Sequence, residues 1–248
     1  MMPVWSYDLI AEIYDIDMGA NIGLADVEFY RTLVGPGESA LELGCGNGRV
    51  LWPLLQSGVD IVGIDRSFPM LKALLAKTPP RMGARVVLGD VRRLPFVGAF
   101  DVVIAPFSIV TYMTSDADLP AFFASCAQAL RAGGRLAVDA FIPRPVEAWA
   151  EPKLDYSRDF RGGKLERWRR IISVGNGVNR IERSYRRIPA VGHPDVFETV
   201  DHIRPYSVSE MVRCAEASGL HLTATADDYG RYSSDPQFRT AIFRLGSK

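Results

Sequence analysis

One stretch constrains the chain more than any other: Leu41-Glu42-Leu43-Gly44-Cys45-Gly46-Asn47-Gly48-Arg49. An apolar run from Ser39 to Leu43 breaks into glycines at alternate positions, and the apolar-periodic segment Val50 to Leu55 follows at once. The pattern reads as strand, tight turn, helix. A turn with so few side chains lets a ligand reach backbone amides at a helix N-terminus, which makes it a candidate nucleotide-binding element. The dinucleotide fingerprint needs a third small residue for close helix–strand packing, and Arg49 stands there instead. The period-two series Glu42-x-Gly44-x-Gly46-x-Gly48 therefore argues against a nicotinamide dinucleotide and a dehydrogenase. Taken alone, the loop is equally well a plain βα turn.

Later segments give the turn company. Asp60-Ile61-Val62-Gly63-Ile64-Asp65 is a short apolar strand ending in an acid. An acid about 20 residues past such a turn accepts hydrogen bonds from both ribose hydroxyls in doubly wound sheets. A helix from Phe68 to Ala76 leads to a third strand, Arg85 to Leu88, closed by Gly89-Asp90; Asp90 can accept from an exocyclic amine, and the Val91 amide can serve a ring nitrogen. A fourth strand, Phe100 to Ile104, is followed by Ala105-Pro106-Phe107-Ser108, and a helix from Asp116, read as its cap, runs to Ala129. Arg131-Ala132-Gly133-Gly134 then turns into the strand Arg135 to Ala140. Repeated strand–helix alternation implies a mostly parallel, doubly wound α/β sheet with ligands outside the carboxyl ends of its strands.

Four matching segments identify a resemblance to the class I S-adenosylmethionine-dependent methyltransferases. They are Leu41 to Gly48, Val62-Gly63-Ile64-Asp65, Gly89-Asp90-Val91-Arg92-Arg93-Leu94-Pro95-Phe96, and Leu130-Arg131-Ala132-Gly133-Gly134-Arg135-Leu136. Tyr7-Asp8-x-x-Ala11-x-x-Tyr14-Asp15 also resembles the opening of small-molecule methyltransferases, among them sugar N-methyltransferases of natural-product pathways. The resemblance implies a Rossmann-like seven-stranded sheet and S-adenosylmethionine as cofactor, with S-adenosylhomocysteine as product. It implies that Gly44 and Gly46, with Cys45 between them, pass beneath the methionine portion, that Glu42 supports the turn and the amino group, and that Asp65 holds the ribose. Asp90 and Val91 would meet the adenine, Arg66, Met70 and Ala105 would complete the cofactor wall, and Tyr14 would close over it. Enzymes that methylate exocyclic amines of bases carry an Asn or Asp, two prolines and an aromatic after the fourth strand; Ala105-Pro106-Phe107-Ser108 lacks the polar residue, which disfavours that branch.

Beyond the core, residues 1–37 read as helices that either cover the ligand mouth or pack outside the sheet, with Ser6 capping a helix through Leu9, Ile10, Ile13 and Tyr14 and a second helix from Asp26 to Leu33. The cofactor-binding core is 38–145. Residues 155–206 alternate polar and apolar between glycine-rich turns, an antiparallel β insert after the fifth strand and a candidate substrate lid. Leu165 to Ile172 and Val178 to Tyr185 pair within it. Its arginines interleave with acids, as on a solvated salt-paired face. Residues 207–248 supply a capping box, Ser207 with Glu210, a helix, and two closing strands near Leu220 to Ala226 and Phe238 to Leu245.

The expected reaction is methyl transfer to an O or N atom of a small molecule, with secondary metabolism as the expected setting; the alternative is a methyltransferase fold that binds cofactor without methyl transfer. A hydroxyl acceptor calls for a base, and of His193, His202 and His221, His202 is the best placed; Tyr14 is the other catalytic candidate. Phe107, Tyr112, Phe141 and Tyr206 are candidates for the substrate wall. With zero formal net charge and a pI near 6.8, nothing global favours a polyanion, so nucleic acid is disfavoured as a partner. The three cysteines, Cys45, Cys126 and Cys214, form no C-x-x-C pair, so neither disulfides nor a metal site is expected. No signal-like or membrane-spanning run occurs, and a cytoplasmic monomer or homodimer is the expectation.

Overall fold

A computed structural model describes residues 6–19, 26–79, 85–144 and 151–246. Three helices come first, α1 (Ser6–Ile10), α2 (Tyr14–Gly19) and α3 (Asp26–Leu33). The alternating core follows as β1 (Ser39–Leu43), α4 (Leu51–Gln56), β2 (Asp60–Asp65), α5 (Phe68–Lys77), β3 (Arg85–Leu88), β4 (Phe100–Ala105), α6 (Asp118–Ala129) and β5 (Leu130–Phe141). Four strands come next, β6 (Lys153–Phe160), β7 (Gly163–Gly175), β8 (Val178–Ile188) and β9 (Asp195–Ile203), and α7 (Val208–Glu216), β10 (Leu220–Asp227) and β11 (Phe238–Leu245) close the chain.

The main sheet has the order β10-β11-β5-β4-β1-β2-β3, with β11 antiparallel to both neighbours and the remaining pairs parallel. This is the doubly wound, seven-stranded arrangement expected. β1 lies inside it because its residues are apolar on both faces: Ala40 joins Tyr30, Leu51, Leu54 and Leu74 on one side, while Leu41 and Leu43 join Phe122, Phe123 and Met211 on the other. The expected turn at Gly133-Gly134 is absorbed into β5, whose pairing with β4 slips between Phe100 and Val102.

Two capping assignments are corrected. α6 starts at Asp118, whose carboxylate accepts from the Ser115 amide at 3.0 Å, while Asp116 reaches out to Arg204 at 2.9 Å. Ser6 lies within α1 and donates its hydroxyl to the Val200 carbonyl at 3.2 Å, and the single opening helix expected is broken after Ile10. The Ser207 capping box is present: the Ser207 hydroxyl accepts from the Glu210 amide at 3.3 Å, and Glu210 accepts from the Ser207 amide at 2.9 Å.

The second sheet, β6-β7-β8-β9, is antiparallel throughout, with Ile171 opposite Ile181 in the pairing of β7 and β8. Its inner face meets α1 and α2 through Ile10, Ile13 and Tyr14 packed against Tyr156, Leu165 and Tyr185. At the centre, Asp17 is 2% exposed and accepts from Arg167 at 2.7 Å, Tyr156 at 2.5 Å and Tyr185 at 3.2 Å. α3 sits elsewhere, on the flank of the main sheet, with Tyr30 wholly buried. No described helix is long and apolar enough to cross a membrane.

Replacing one member of a buried ion pair strands the other, at a cost of about 3–5 kcal/mol. Asp17→Ala is therefore expected to lower the unfolding free energy by about that amount; urea denaturation measures it, and a loss under about 1 kcal/mol, the surface-pair range, would show that the contact does not anchor the sheet.

Candidate functional site

Sheet order lays out the site. The carboxyl ends of β3, β2, β1 and β4 stand in a row, and a cavity of about 350 Å³ runs along them. Gly89, Asp90, Val91 and Arg92 line it after β3; Asp65, Arg66, Ser67 and Met70 after β2; Gly44 and Gly46 after β1; Pro106, Phe107, Ile109 and Tyr112 after β4. Tyr7 and Tyr14 arrive from α1 and α2.

The turn after β1 needs glycine for two reasons. Gly44 and Gly46 have φ of 66° and 53°, in the left-handed region where a Cβ is disfavoured. A Cβ on Gly44 would also stand 2.8 Å from the Ile109 side chain. The turn is held from β2: the Gly44 and Cys45 amides donate to the Ile64 carbonyl at 2.8 and 3.1 Å, and the Gly46 amide donates to Asp65 Oδ2 at 2.8 Å. The Ser67 amide donates to Asp65 Oδ1 at 2.8 Å and the Arg66 amide also bonds the carboxylate, which with about four lone-pair sites keeps acceptor capacity to spare. Burial lifts the Asp65 carboxyl above the usual aspartate range, and the amide bonds pull against that shift.

Asp90 is gripped by Arg92, through Nη2 to Oδ2 at 2.6 Å and Nε to Oδ1 at 3.0 Å; the hydrogen bonds hold its carboxyl below the usual range. Arg92 also reaches Asp118 at 2.7 Å, tying the β3 end to α6. The loop after β4 is strained, because Phe107 and Ser108 both have left-handed φ, 57° and 56°. Asp139 of β5 compensates. Fully buried, it accepts from the amides of Phe107 (2.9 Å) and Ser108 and from the hydroxyls of Tyr30 (2.8 Å) and Tyr229 (2.7 Å). Arg49 adds a second brace, pairing with Asp26 at 2.6 Å while its guanidinium lies 5.3 Å from the Phe107 ring centre.

Tyr14, Gly44, Gly46, Asp65, Arg66, Met70, Asp90, Val91, Phe107 and Tyr112 are brought together on the cavity wall. Six other expected residues are placed differently. Glu42 is buried beneath the turn and absent from the wall; burial pushes its carboxyl well up, and Arg49 opposes the shift. Cys45 points into the space that Gly63 leaves, where an added Cβ would lie 2.6 Å from its Sγ, so it packs sheet against helix. Ala105 is wholly buried in β4. Phe141 is a second layer, 6.1 Å from Phe107 and 4.7 Å from Phe238 between ring centres. Tyr206 is buried in the core with its hydroxyl donating to the Met113 carbonyl. His202 is exposed: its neighbour Asp201 takes the inner face of β9, and strand alternation turns His202 outward. His193 and His221 are exposed too, so none of the three histidines lines the cavity.

Tyr7, Ser67, Arg92, Ile109 and Asp118 line the wall without having been assigned a role from sequence. Tyr7 and Arg92 lie inside the quoted motifs, which was the available signal. Ile109 and Asp118 carried none, because their places depend on the loop after β4.

Residues 40–134 match the family model described as a methyltransferase domain. That stretch, from β1 to the start of β5, is similar to a methyltransferase domain. It is 35% identical over 160 residues to nocamycin O-methyltransferase of Saccharothrix syringae, a match covering 58% of this chain and 53% of that protein. The chain thus spans about half the length of that relative. Two solved structures share the fold over nearly the whole length: DesVI of Streptomyces venezuelae (TM-score 0.77, 23% identity, covering 96% of this chain and 98% of that one) and the sugar N-methyltransferase KedS8 of Streptoalloteichus sp. (TM-score 0.77, 21% identity, 96% and 92%). Both matches cover nearly all of this chain, so the likeness in fold is not confined to residues 40–134.

The Asp139 brace is open to test. In Asp139→Asn one acceptor oxygen becomes a donating amide, so the Phe107 and Ser108 amides lose an ionised partner. Their hydrogen exchange is expected to accelerate on the order of tenfold, the loss of one hydrogen bond of about 1–1.5 kcal/mol; unchanged exchange would remove Asp139 from its bracing role.

Proposed function

We propose that this chain transfers a methyl group from S-adenosylmethionine to an O or N atom of a small-molecule acceptor in secondary metabolism. The observation that carries the reading is the Asp65 carboxylate, held by the Gly46 and Ser67 amides with acceptor capacity to spare, beside a turn whose glycines leave its backbone bare. A nucleoside diol fits that pair of oxygens, and Asp90 with Val91 lies one strand further along for its base.

When bound, the cofactor supplies an electrophilic methyl on a sulfonium. The chain's residues position and exclude. Asp65 and Asp90 fix one end, the glycine turn the middle, and the wall after β4 faces the acceptor. Tyr7 and Tyr14, brought by α1 and α2, keep water out, which favours in-line displacement over hydrolysis. Burial raises the Tyr14 phenol far above its usual range, so Tyr14 serves as a neutral wall residue and not as a base. A neutral amine attacks without a base, and with the histidines exposed the site suits such an acceptor or a readily ionised hydroxyl. The relatives are described as an O-methyltransferase and a sugar N-methyltransferase, which supports the choice of acceptor atoms. A cytoplasmic location, a monomer or homodimer, and no nucleic-acid partner belong to the same reading.

Isothermal titration of S-adenosylmethionine tests it. Asp65→Ala removes two hydrogen bonds to a charged acceptor and is expected to weaken binding by about 100-fold, taking about 1.5 kcal/mol for each. Undiminished affinity would sink the proposal, and cofactor binding with persistent lack of transfer to amines and hydroxyls would favour a binding protein on a methyltransferase fold. The pH dependence has a fixed sign. The diol needs the ionised carboxylate, so affinity should fall as pH drops through an Asp65 pKa that burial has raised, and Asp65→Asn should flatten that fall.

A further inference from the structure

At the β4 end of the cavity the hydroxyls of Tyr7 and Tyr112 lie 2.6 Å apart, in hydrogen-bond contact, with ring centres 5.9 Å apart at a steep angle. Both residues line the cavity, and the neighbouring wall is apolar, formed by Phe107 and Ile109. β4 flanks β1 on the side away from β2 and β3, so the pair stands across the glycine turn from Asp65 and Asp90.

Resting on the methyl-transfer reading, we propose that the Tyr7–Tyr112 hydroxyl pair is the acceptor subsite and selects a nucleophile that carries a hydrogen. A hydroxyl, or a primary or secondary amine, would be admitted over a carbon, a thioether or a tertiary amine.

Two phenols hold two protons; one is used between them, and among the described residues neither hydroxyl has another hydrogen-bond partner. One O–H and several lone pairs are left without a partner among the described residues, in a pair that lines the cavity beside Phe107 and Ile109. An acceptor atom with its own hydrogen donates to the pair and keeps a lone pair free for the methyl; an atom without one can only accept the spare O–H, which occupies the lone pair that methylation needs and leaves the phenol lone pairs desolvated. Burial raises both phenols above their usual range, with Asp201 raising and Arg183 opposing, so the pair orients the nucleophile as neutral hydroxyls.

The insert holds the pair in place. Ser6, next to Tyr7, donates to the Val200 carbonyl of β9, and the Arg204 amide at the end of β9 donates to the Thr111 carbonyl, next to Tyr112, at 2.7 Å. Between these anchors Asp201, 5% exposed, is ion-paired with Arg183 of β8. Both tyrosines are therefore registered on one strand.

The test uses the full chain saturated with S-adenosylhomocysteine and two probes, cyclohexanol and its methyl ether, which differ by the hydroxyl hydrogen. Saturation-transfer NMR is expected to show wild type preferring the alcohol by about three- to tenfold, one hydrogen bond's worth. Tyr7→Phe and Tyr112→Phe should each reduce that preference, and the double variant should abolish it. All variants should keep the rise in melting temperature that S-adenosylhomocysteine produces, which shows them folded with the cofactor side intact. Equal binding of both probes to wild type, or a preference that survives in the folded double variant, would overturn the subsite. Failure of wild type to bind S-adenosylhomocysteine would overturn the methyl-transfer reading instead, and the subsite with it.

Discussion

Asp139 is wholly buried on β5 and accepts from two tyrosine hydroxyls and two backbone amides. A buried carboxylate is costly unless it is fully hydrogen-bonded, and here every partner is a donor. Its partners come from α3, from the turn before β11, and from the loop after β4, so one charge fixes three segments to the sheet. The consequence for the cavity is direct. Phe107 and Ser108 adopt left-handed backbone that non-glycine residues avoid, at about 1–2 kcal/mol each, and the Asp139 bonds offset that strain. The loop can then turn Phe107, Ile109 and Tyr112 toward the ligand space.

The other side of the cavity depends on the same device at smaller scale. Asp65 takes the Gly46 amide on one oxygen and the Ser67 amide on the other, joining the glycine turn after β1 to the cap of α5. Asp90 is held by Arg92, itself held by Asp118. Each carboxylate is oriented before any ligand arrives, which limits the ordering cost of binding.

The fold was legible from sequence because its signals are local: strand runs, glycine turns, and the Ser207 capping box each occupy a few adjacent residues. The cavity wall after β1 and β2 was legible for the same reason, Gly44, Gly46 and Asp65 sitting at spacings that one βαβ unit dictates. The wall after β4 was not. Tyr7 meets Tyr112 across 105 positions, and Asp139 meets Tyr30 across 109, so no window along the chain holds either pair. His202 failed as a base because position on a strand does not say which face a side chain takes; Asp201, one residue away, took the inner face. Cys45 and Glu42 failed for a related reason: a residue beside a binding turn can point beneath it.

α1 and α2 contact two bodies with unequal strength. Toward the insert they bury Asp17 among Arg167, Tyr156 and Tyr185. Toward the core they make the Tyr7–Tyr112 hydroxyl contact and the ties of Asp8 with Ser67 and of Asp15 with Asn47 and Lys77, all partly buried or exposed. Exposed ties of this kind are worth little, and a desolvated ion pair is hard to break. The desolvated ion pair therefore joins helices to insert more firmly than the surface ties join helices to core. The part of the cavity wall that Tyr7 and Tyr14 contribute is thereby set by the insert as well as by the sheet beneath it.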